Sequence, residues 1–313
     1  MRVIRGLHNL RPGSPGCVAT IGTFDGVHLG HRAVFQHLAD LGHARGLPTT
    51  VVTFEPQPME FLAPERAPAR LTRLGEKLHA LHHCGIDQVV LLEFGPRLAA
   101  MGARAFVREL LVDGLAARHV LVGDDFRFGH DREGDFALLE AMGQEYGFAV
   151  DDFVTVSHGG ERVSSTRIRE ALARGDLRLA RHLLGRPYRI CGRIAHGDER
   201  GRTIGYPTAN INLHRRVSPL RGVYAVMVDG VAEGPCPGVA NIGTRPTVAG
   251  DPRHLLEVHL FDFAGDLYGR HVQVEFRLKL RDEQRFDSFL DLKAQIDRDA
   301  SAARAYLGVG LAP

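Results

Sequence analysis

Ten residues near the amino terminus, Gly22-Thr23-Phe24-Asp25-Gly26-Val27-His28-Leu29-Gly30-His31, bring three glycines and two histidines into one turn. Glycine lets a backbone approach a ligand closely, and the first N–H groups of a following helix, aided by its dipole, favour an anion. His28 and His31 stand three apart, so at a helix start both rings can face that anion. The turn therefore reads as a triphosphate cradle. A tight turn with two ordinary surface histidines is the bland competitor, but the G-x-F-D-G-x-H-x-G-H spacing is much narrower than a generic glycine turn. No G-x-x-x-x-G-K-[ST] occurs and no G-x-G-x-x-G opens this helix, which disfavours P-loop hydrolysis and a standard dinucleotide fingerprint.

Other segments carry groups of the same kind. Thr53-Phe54-Glu55-Pro56-Gln57-Pro58 closes a strand with two prolines that cannot continue a ladder. Gly123-Asp124-Asp125-Phe126-Arg127-Phe128-Gly129 gathers aromatic, acidic and basic residues after another strand. In Ser164-Ser165-Thr166-Arg167-Ile168-Arg169, hydroxyls, helix-start amides and guanidinium groups can all engage phosphate oxygens. Farther on, Thr208 and Asn210 flank Ala209 in Gly205-Tyr206-Pro207-Thr208-Ala209-Asn210-Ile211, so in an extended strand they share one face and can bind one Mg²⁺·nucleotide. Glu257 interrupts the apolar strand Leu255–Phe263. A carboxylate there either pairs structurally or deprotonates an alcohol within hydrogen-bond reach.

These groups need two kinds of scaffold. From Cys17 to about Val156, the strands Cys17–Ile21, Thr49–Phe54, Gln88–Glu93 and His119–Gly123 alternate with helical stretches at Arg32–Arg45, Thr72–His83, Ala103–Asp113 and Asp135–Tyr146. That alternation predicts a parallel α/β sheet, with the binding loops outside the carboxyl ends of its strands. Two helical pieces follow, ending at Leu184 before Gly185 and Pro187, and the domain boundary is placed there, giving 1–184 and 185–313. Beyond it, the runs Tyr188–Ile194, Ala209–Leu213, Val223–Val228, Gly238–Ile242, Leu255–Phe263 and His271–Leu280 lack intervening helices and predict a β-barrel. From Asp282, Phe286, Phe289, Leu290 and Ile296 recur at helical spacing and predict a terminal helix packed on that barrel.

Composition narrows the classes. With 313 residues, 44% of them hydrophobic, the chain can fill two cores. Its 39 Lys and Arg against 37 Asp and Glu leave no cationic field for nucleic acid or a membrane surface. The four cysteines are scattered without a C-x-x-C pair, against zinc or a disulfide framework and in keeping with a reducing cytoplasm. Neither a signal-peptide core nor a membrane-length apolar run appears.

In chain order, the motifs resemble the two modules of prokaryotic bifunctional riboflavin kinase/FAD synthetases. The resemblance implies a nucleotidylyltransferase-like α/β domain followed by a riboflavin-kinase barrel, with ATP and Mg²⁺ serving both and FMN and FAD as products. In the first module it puts Gly22, Phe24, Asp25, His28, His31, Ser165, Thr166 and Arg169 on ATP, with His28, His31 and Arg169 supplying charge to the transferring phosphate. Pro56, Pro58, Asp125, Phe126 and Phe128 resemble the flavin wall. Gln57 departs from the histidine often found in this loop, and Arg167 occupies no position of the signature. In the second module Gly197, Pro207, Thr208 and Asn210 would bind ATP, Thr208 and Asn210 the metal, and Glu257 would act as base on the riboflavin 5′-hydroxyl. Two rivals stay open: an adenylyltransferase for another phosphate acceptor, such as a pantetheine or nicotinate derivative, and a flavin-binding sensor or store. Self-association is also left open.

Overall fold

Strands buried on both faces read as unbroken apolar runs, and four such runs build the middle of a six-stranded parallel sheet. The computed structural model describes residues 1–10, 15–123, 125–153, 155–195, 206, 208–213, 215–245 and 253–309. Its first unit comprises Met1–Pro68 and Thr72–Val163. The strands are β1 (Arg2–Arg5), β2 (Cys17–Ile21), β3 (Thr49–Phe54), β4 (Gln88–Leu92), β5 (Ala117–Val122) and β6 (Ala149–Asp152), in the order β1-β4-β3-β2-β5-β6. Val18, Val51, Val89 and Leu121 pack on one side with Val34, Phe35 and Leu38 of helix α1 (Leu29–Arg45) and Leu81 of α2 (Leu74–His83). Ala19, Ile21, Val52, Val90, Val120 and Val122 pack on the other with Leu110, Leu111 and Leu139. Leu139 belongs to α3 (Phe136–Tyr146), while Leu110 and Leu111 lie in the helical stretch Ala103–Phe106 that continues as Val107–Gly114.

The chain moves outward from β2 through β3 to β4, then returns to place β5 on the other side of β2. The carboxyl ends of β2 and β5 therefore flank the point where strand order reverses, the usual ligand crevice of open α/β sheets. A two-stranded hairpin, β7 (Ser157–His158) with β8 (Glu161–Arg162), completes this unit.

The second unit comprises Ala69–Leu71 and Ser164–Pro313. Helices α4 (Ser165–Arg174) and α5 (Leu177–Leu184) lead into a closed antiparallel barrel. Its strands are β9 (Arg189–Ala195), β10 (Ala209–Asn212), β11 (Gly222–Asp229), β12 (Cys236–Arg245), β13 (Arg253–Leu260) and β14 (His271–Arg281), ordered β10-β13-β12-β11-β14-β9 and closed by the β9–β10 pair. Closure removes the free sheet edges. Ile211, Leu256, Val258 and Ile242 are fully buried on alternate positions and line one face of the wall. On the other face Val223, Val239 and Phe261 pack against Ala300 and Ala303 of the terminal helix α6 (Phe289–Leu307).

One boundary differs from expectation. α6 starts at Phe289 rather than Asp282, because β14 runs to Arg281 and Ser288 supplies the cap, accepting from Asp291 N. The second packing unit takes in α4 and α5, which pack together, with α5 on β14.

Candidate active sites

β2 delivers the chain into the cradle, and three of four successive residues enforce its shape: Phe24, Gly26 and Val27 take positive φ values of 46°, 87° and 44°. Such angles strain side-chain-bearing residues, so the surroundings must hold them. Phe24 and Val27 are buried in the α1-side core. Asp25, equally buried, is locked by Thr72, whose N–H and hydroxyl donate to Oδ1 at 2.9 and 3.1 Å, while the same hydroxyl accepts from Gly26 N at 3.0 Å. Asp25 thus fixes the turn as well as lining it.

His28 caps α1. Its Nδ1 accepts from His31 N at 3.3 Å, which places the proton of a neutral ring on Nε2 and makes that edge a donor. The His28 and His31 rings stack with centroids 3.5 Å apart, and Phe24 meets His31 edge-on at 5.2 Å. A Cβ on Gly30 would meet the His28 ring at 3.1 Å and Val163 O at 3.3 Å, and one on Gly22 would meet the Phe24 ring at 2.9 Å, so a side chain at either position crowds this packing. Burial, reinforced by His28, Lys77 and Arg162, holds the His31 pKa well below the usual imidazole value. The expected charged His31 is therefore corrected: it enters the site as a neutral ring, its buried Nδ1 lacking a hydrogen-bond partner among the described residues.

The buried positive group of this cradle is Lys77, which is fully inaccessible. Its Nζ donates to Thr23 O at 2.6 Å and Thr53 Oγ1 at 3.3 Å, joining the cradle to the end of β3. Sequence reading missed it, although Lys77 shares the apolar stripe of α2 with Leu74, Leu78 and Leu81, and a lysine on such a stripe is a signal. Thr72 and Arg162 were missed as well, without any comparable signal.

After β3, Pro56 and Pro58 are half-buried, and Pro58 opens the short helix Pro58–Leu62. Gln57 is buried, with its amide Nε2 unpartnered among the described residues. Phe54, Phe94 and Phe61 form an aromatic run beside this loop. After β5, Phe126 stacks on Phe128 at 5.2 Å, and exposed Asp125 pairs with Arg162 at 3.4 Å. Phe128 is a core residue bridged to Gly134, so it backs Phe126, which is half-buried.

In the second unit, Ser164 caps α4 by accepting from Arg167 N at 3.3 Å. Ser165 is half-buried and Thr166 exposed at the first turn, where helix N–H groups favour an anion. Arg169 donates from Nε to Ala69 O at 2.7 Å, which fixes the direction of its guanidinium.

In the barrel, Asn210 of β10 lies opposite Glu257 of β13, and Glu257 lies opposite Asn241 of β12. Cross-strand partners share a face, so these three side chains form one polar row across neighbouring strands, opposite the face of Ile211, Leu256 and Ile242. Thr208, half-buried and two residues before Asn210, precedes that row. Asn241 is a further member that sequence reading left out of the site. Gly243 follows on the same face, where a Cβ would overlap the Glu283 carboxylate. Tyr206 ahead of Thr208 donates to Asp297 of α6 and packs edge-on against His259 at 4.9 Å. Gly197 and Pro207 lie outside the described residues. Among the described residues no group of three or more His, Cys, Asp or Glu could hold a metal ion.

Comparison with known proteins assigns both halves. The FAD synthetase family model matches residues 11–167 and the riboflavin kinase model residues 184–307. The bifunctional riboflavin kinase/FMN adenylyltransferase of Escherichia coli (strain K12) is 57% identical over 310 residues, covering 99% of each chain. The protein of the same name from Pseudomonas fluorescens is 54% identical over 97% of each. A solved structure from Streptococcus pneumoniae, described as a macrolide-efflux protein, is 31% identical, with TM-score 0.80 over 97% of this chain and 99% of that one. With both modules matched in order along almost its whole length, the chain belongs to the family of bifunctional riboflavin kinase/FMN adenylyltransferases.

Proposed function

We propose that two separate sites carry the two reactions of this family: residues 1–184 adenylylate FMN, and residues 185–313 phosphorylate riboflavin. The observation that carries this reading is that two phosphate-type constellations occupy differently built units, a cradle after β2 and a polar row on the barrel.

In adenylylation, an FMN phosphate oxygen attacks the α-phosphorus of ATP, a new P–O–P bridge forms, and the bond to pyrophosphate breaks. The nucleophile is already an anion, so in-line positioning and charge stabilisation suffice. Gly22, Phe24 and Asp25 shape the cradle, His28 donates from Nε2 and neutral His31 hydrogen-bonds beside it. Ser165, Thr166 and Arg169 supply further phosphate donors. Pro56, Pro58 and Phe126 form the flavin wall, with Phe128 behind and Asp125 held by Arg162 at its rim.

In phosphorylation, Glu257 takes the proton of the riboflavin 5′-hydroxyl as that oxygen attacks the γ-phosphorus and ADP departs. Thr208 and Asn210, with Gly197 and Pro207, hold the ATP phosphates. Mg²⁺ fits the hydroxyl and amide oxygens of Thr208 and Asn210, being a hard cation that keeps few protein ligands, and when bound it neutralises phosphate charge. The substrates are riboflavin and nucleotides, with neither nucleic acid nor a membrane surface involved. The cytoplasm is the proposed place of work, a reading supported by four scattered cysteines without a C-x-x-C pair.

Product chromatography tests the assignment. Wild-type protein given FMN, ATP and Mg²⁺ should yield FAD and pyrophosphate, and His28→Ala should lose about 10²-fold or more of that rate. Chelation with EDTA should stop FMN formation from riboflavin. Undiminished FAD formation by His28→Ala would remove the cradle from the mechanism.

A further inference from the structure

We propose that Tyr188 and Arg215, both within the riboflavin kinase match, are positioning residues for the nucleotide cradle of the adenylyltransferase, acting through the backbone strap Ala69–Leu71. The inference rests on the cradle reading above. The strap folds with the second unit, and each of its three successive carbonyls accepts a hydrogen bond from a side chain there. Arg169 Nε donates to Ala69 O at 2.7 Å, Arg215 Nη1 to Arg70 O at 3.0 Å, and Tyr188 OH to Leu71 O at 3.1 Å. Arg215 Nη1 also donates to the Tyr188 hydroxyl at 2.8 Å, so these two side chains form one network.

Burial makes this arrangement more than a tether. Leu71, Tyr188 and Arg215 are 0%, 4% and 8% exposed. Burying a guanidinium is costly unless donors are used, and here Nη1 serves both the Arg70 carbonyl, in a segment with no regular structure of its own, and the Tyr188 hydroxyl. A passive linker needs no such investment.

The chain continuing from the strap shows what is being held. Leu71 C=O and Thr72 N–H belong to one planar peptide group. Its oxygen is fixed by Tyr188, and its N–H donates to Asp25 Oδ1 at 2.9 Å. Rotation of that plane at one end rotates it at the other. The Thr72 hydroxyl extends the hold to Gly26, whose positive φ sets up the turn before His28. Tyr188 and Arg215 thus act on the cradle through one rigid peptide and touch no substrate.

The test measures the ATP dependence of both reactions in the full-length protein. Tyr188→Phe removes only a hydroxyl and should raise the ATP KM for adenylylation roughly three- to tenfold, the effect of one lost hydrogen bond, while the ATP KM for riboflavin phosphorylation stays put. Arg215→Met should act in the same direction. Combined with Thr72→Val, Tyr188→Phe should be clearly less than additive, since both changes loosen the same peptide. An unchanged adenylylation KM in Tyr188→Phe, strictly additive effects, or equal losses in both reactions would overturn the inference. His28→Ala, measured alongside, separates the two failures. If it cripples adenylylation while Tyr188→Phe has no effect, the strap inference falls and the cradle stands; if it has no effect itself, the cradle reading falls.

Discussion

Burial first, then the neighbouring His28, Lys77 and Arg162, favours the neutral form of the His31 imidazole, which makes its acid response predictable. Its folded pKa lies well below that of the unfolded chain, mainly through burial, so below the ordinary histidine pKa the unfolded state binds more protons. The associated stability is fully present at neutral pH and is lost as pH falls through the window beneath 6.5. Melting temperatures recorded from pH 7 to pH 5 should therefore fall more steeply for wild type than for His31→Gln. Parallel curves would show that His31 is not the buried neutral group. Lys77 sets a second test. Lys77→Met strands the Thr23 carbonyl and loosens Thr53, so urea melts should show a loss of about 1–3 kcal/mol. FAD formation should drop with it while FMN formation persists. Histidine spacing was readable from the chain because i and i+3 meet on any helix. Thr72 and Arg162 were not, because their partners Asp25 and Asp125 are brought to them only by the fold.

At the level of elements, β2, β3, β4 and β5 were legible because burial on both faces leaves no polar alternation to confuse them. β1 and β6, Arg2-Val3-Ile4-Arg5 and Ala149-Val150-Asp151-Asp152, escaped notice as edge strands with mixed surfaces. Strand order was out of reach, since placing β5 against β2 depends on long-range pairing rather than local pattern. Yet that order puts the cradle at the reversal point. The barrel strands were legible as regular short runs without intervening helices, whereas the alignment of Asn210, Glu257 and Asn241 is a matter of register. The join between β2 and α1 carries its own prediction. Gly30→Ala should push the His28 ring off its cap and lower FAD formation by about tenfold or more, with little change in far-UV circular dichroism and normal riboflavin phosphorylation. Full FAD activity in Gly30→Ala would show that the His28 geometry is not critical.

Across the whole molecule, the chemical boundary we propose and the packing boundary do not coincide. Ser165, Thr166 and Arg169 serve the first reaction in our reading, yet α4 and α5 fold with the barrel. α5 buries Leu177, Leu183 and Leu184, each worth roughly 1.5–3 kcal/mol when fully covered. A fragment 164–313 should accordingly melt cooperatively and phosphorylate riboflavin, and a fragment 185–313 should melt at least ~10 °C lower by calorimetry. Equal melting temperatures would mean that the helices contribute nothing to the barrel.

In our proposal two independent sites act in succession on one flavin. The most direct measurement supplies riboflavin, ATP and Mg²⁺ to His28→Ala, to Glu257→Gln and to their mixture, and separates the products. His28→Ala should stop at FMN, Glu257→Gln should leave riboflavin unchanged, and the mixture should make FAD. A mixture that makes no FAD, or a folded single variant that has lost both activities, would contradict it.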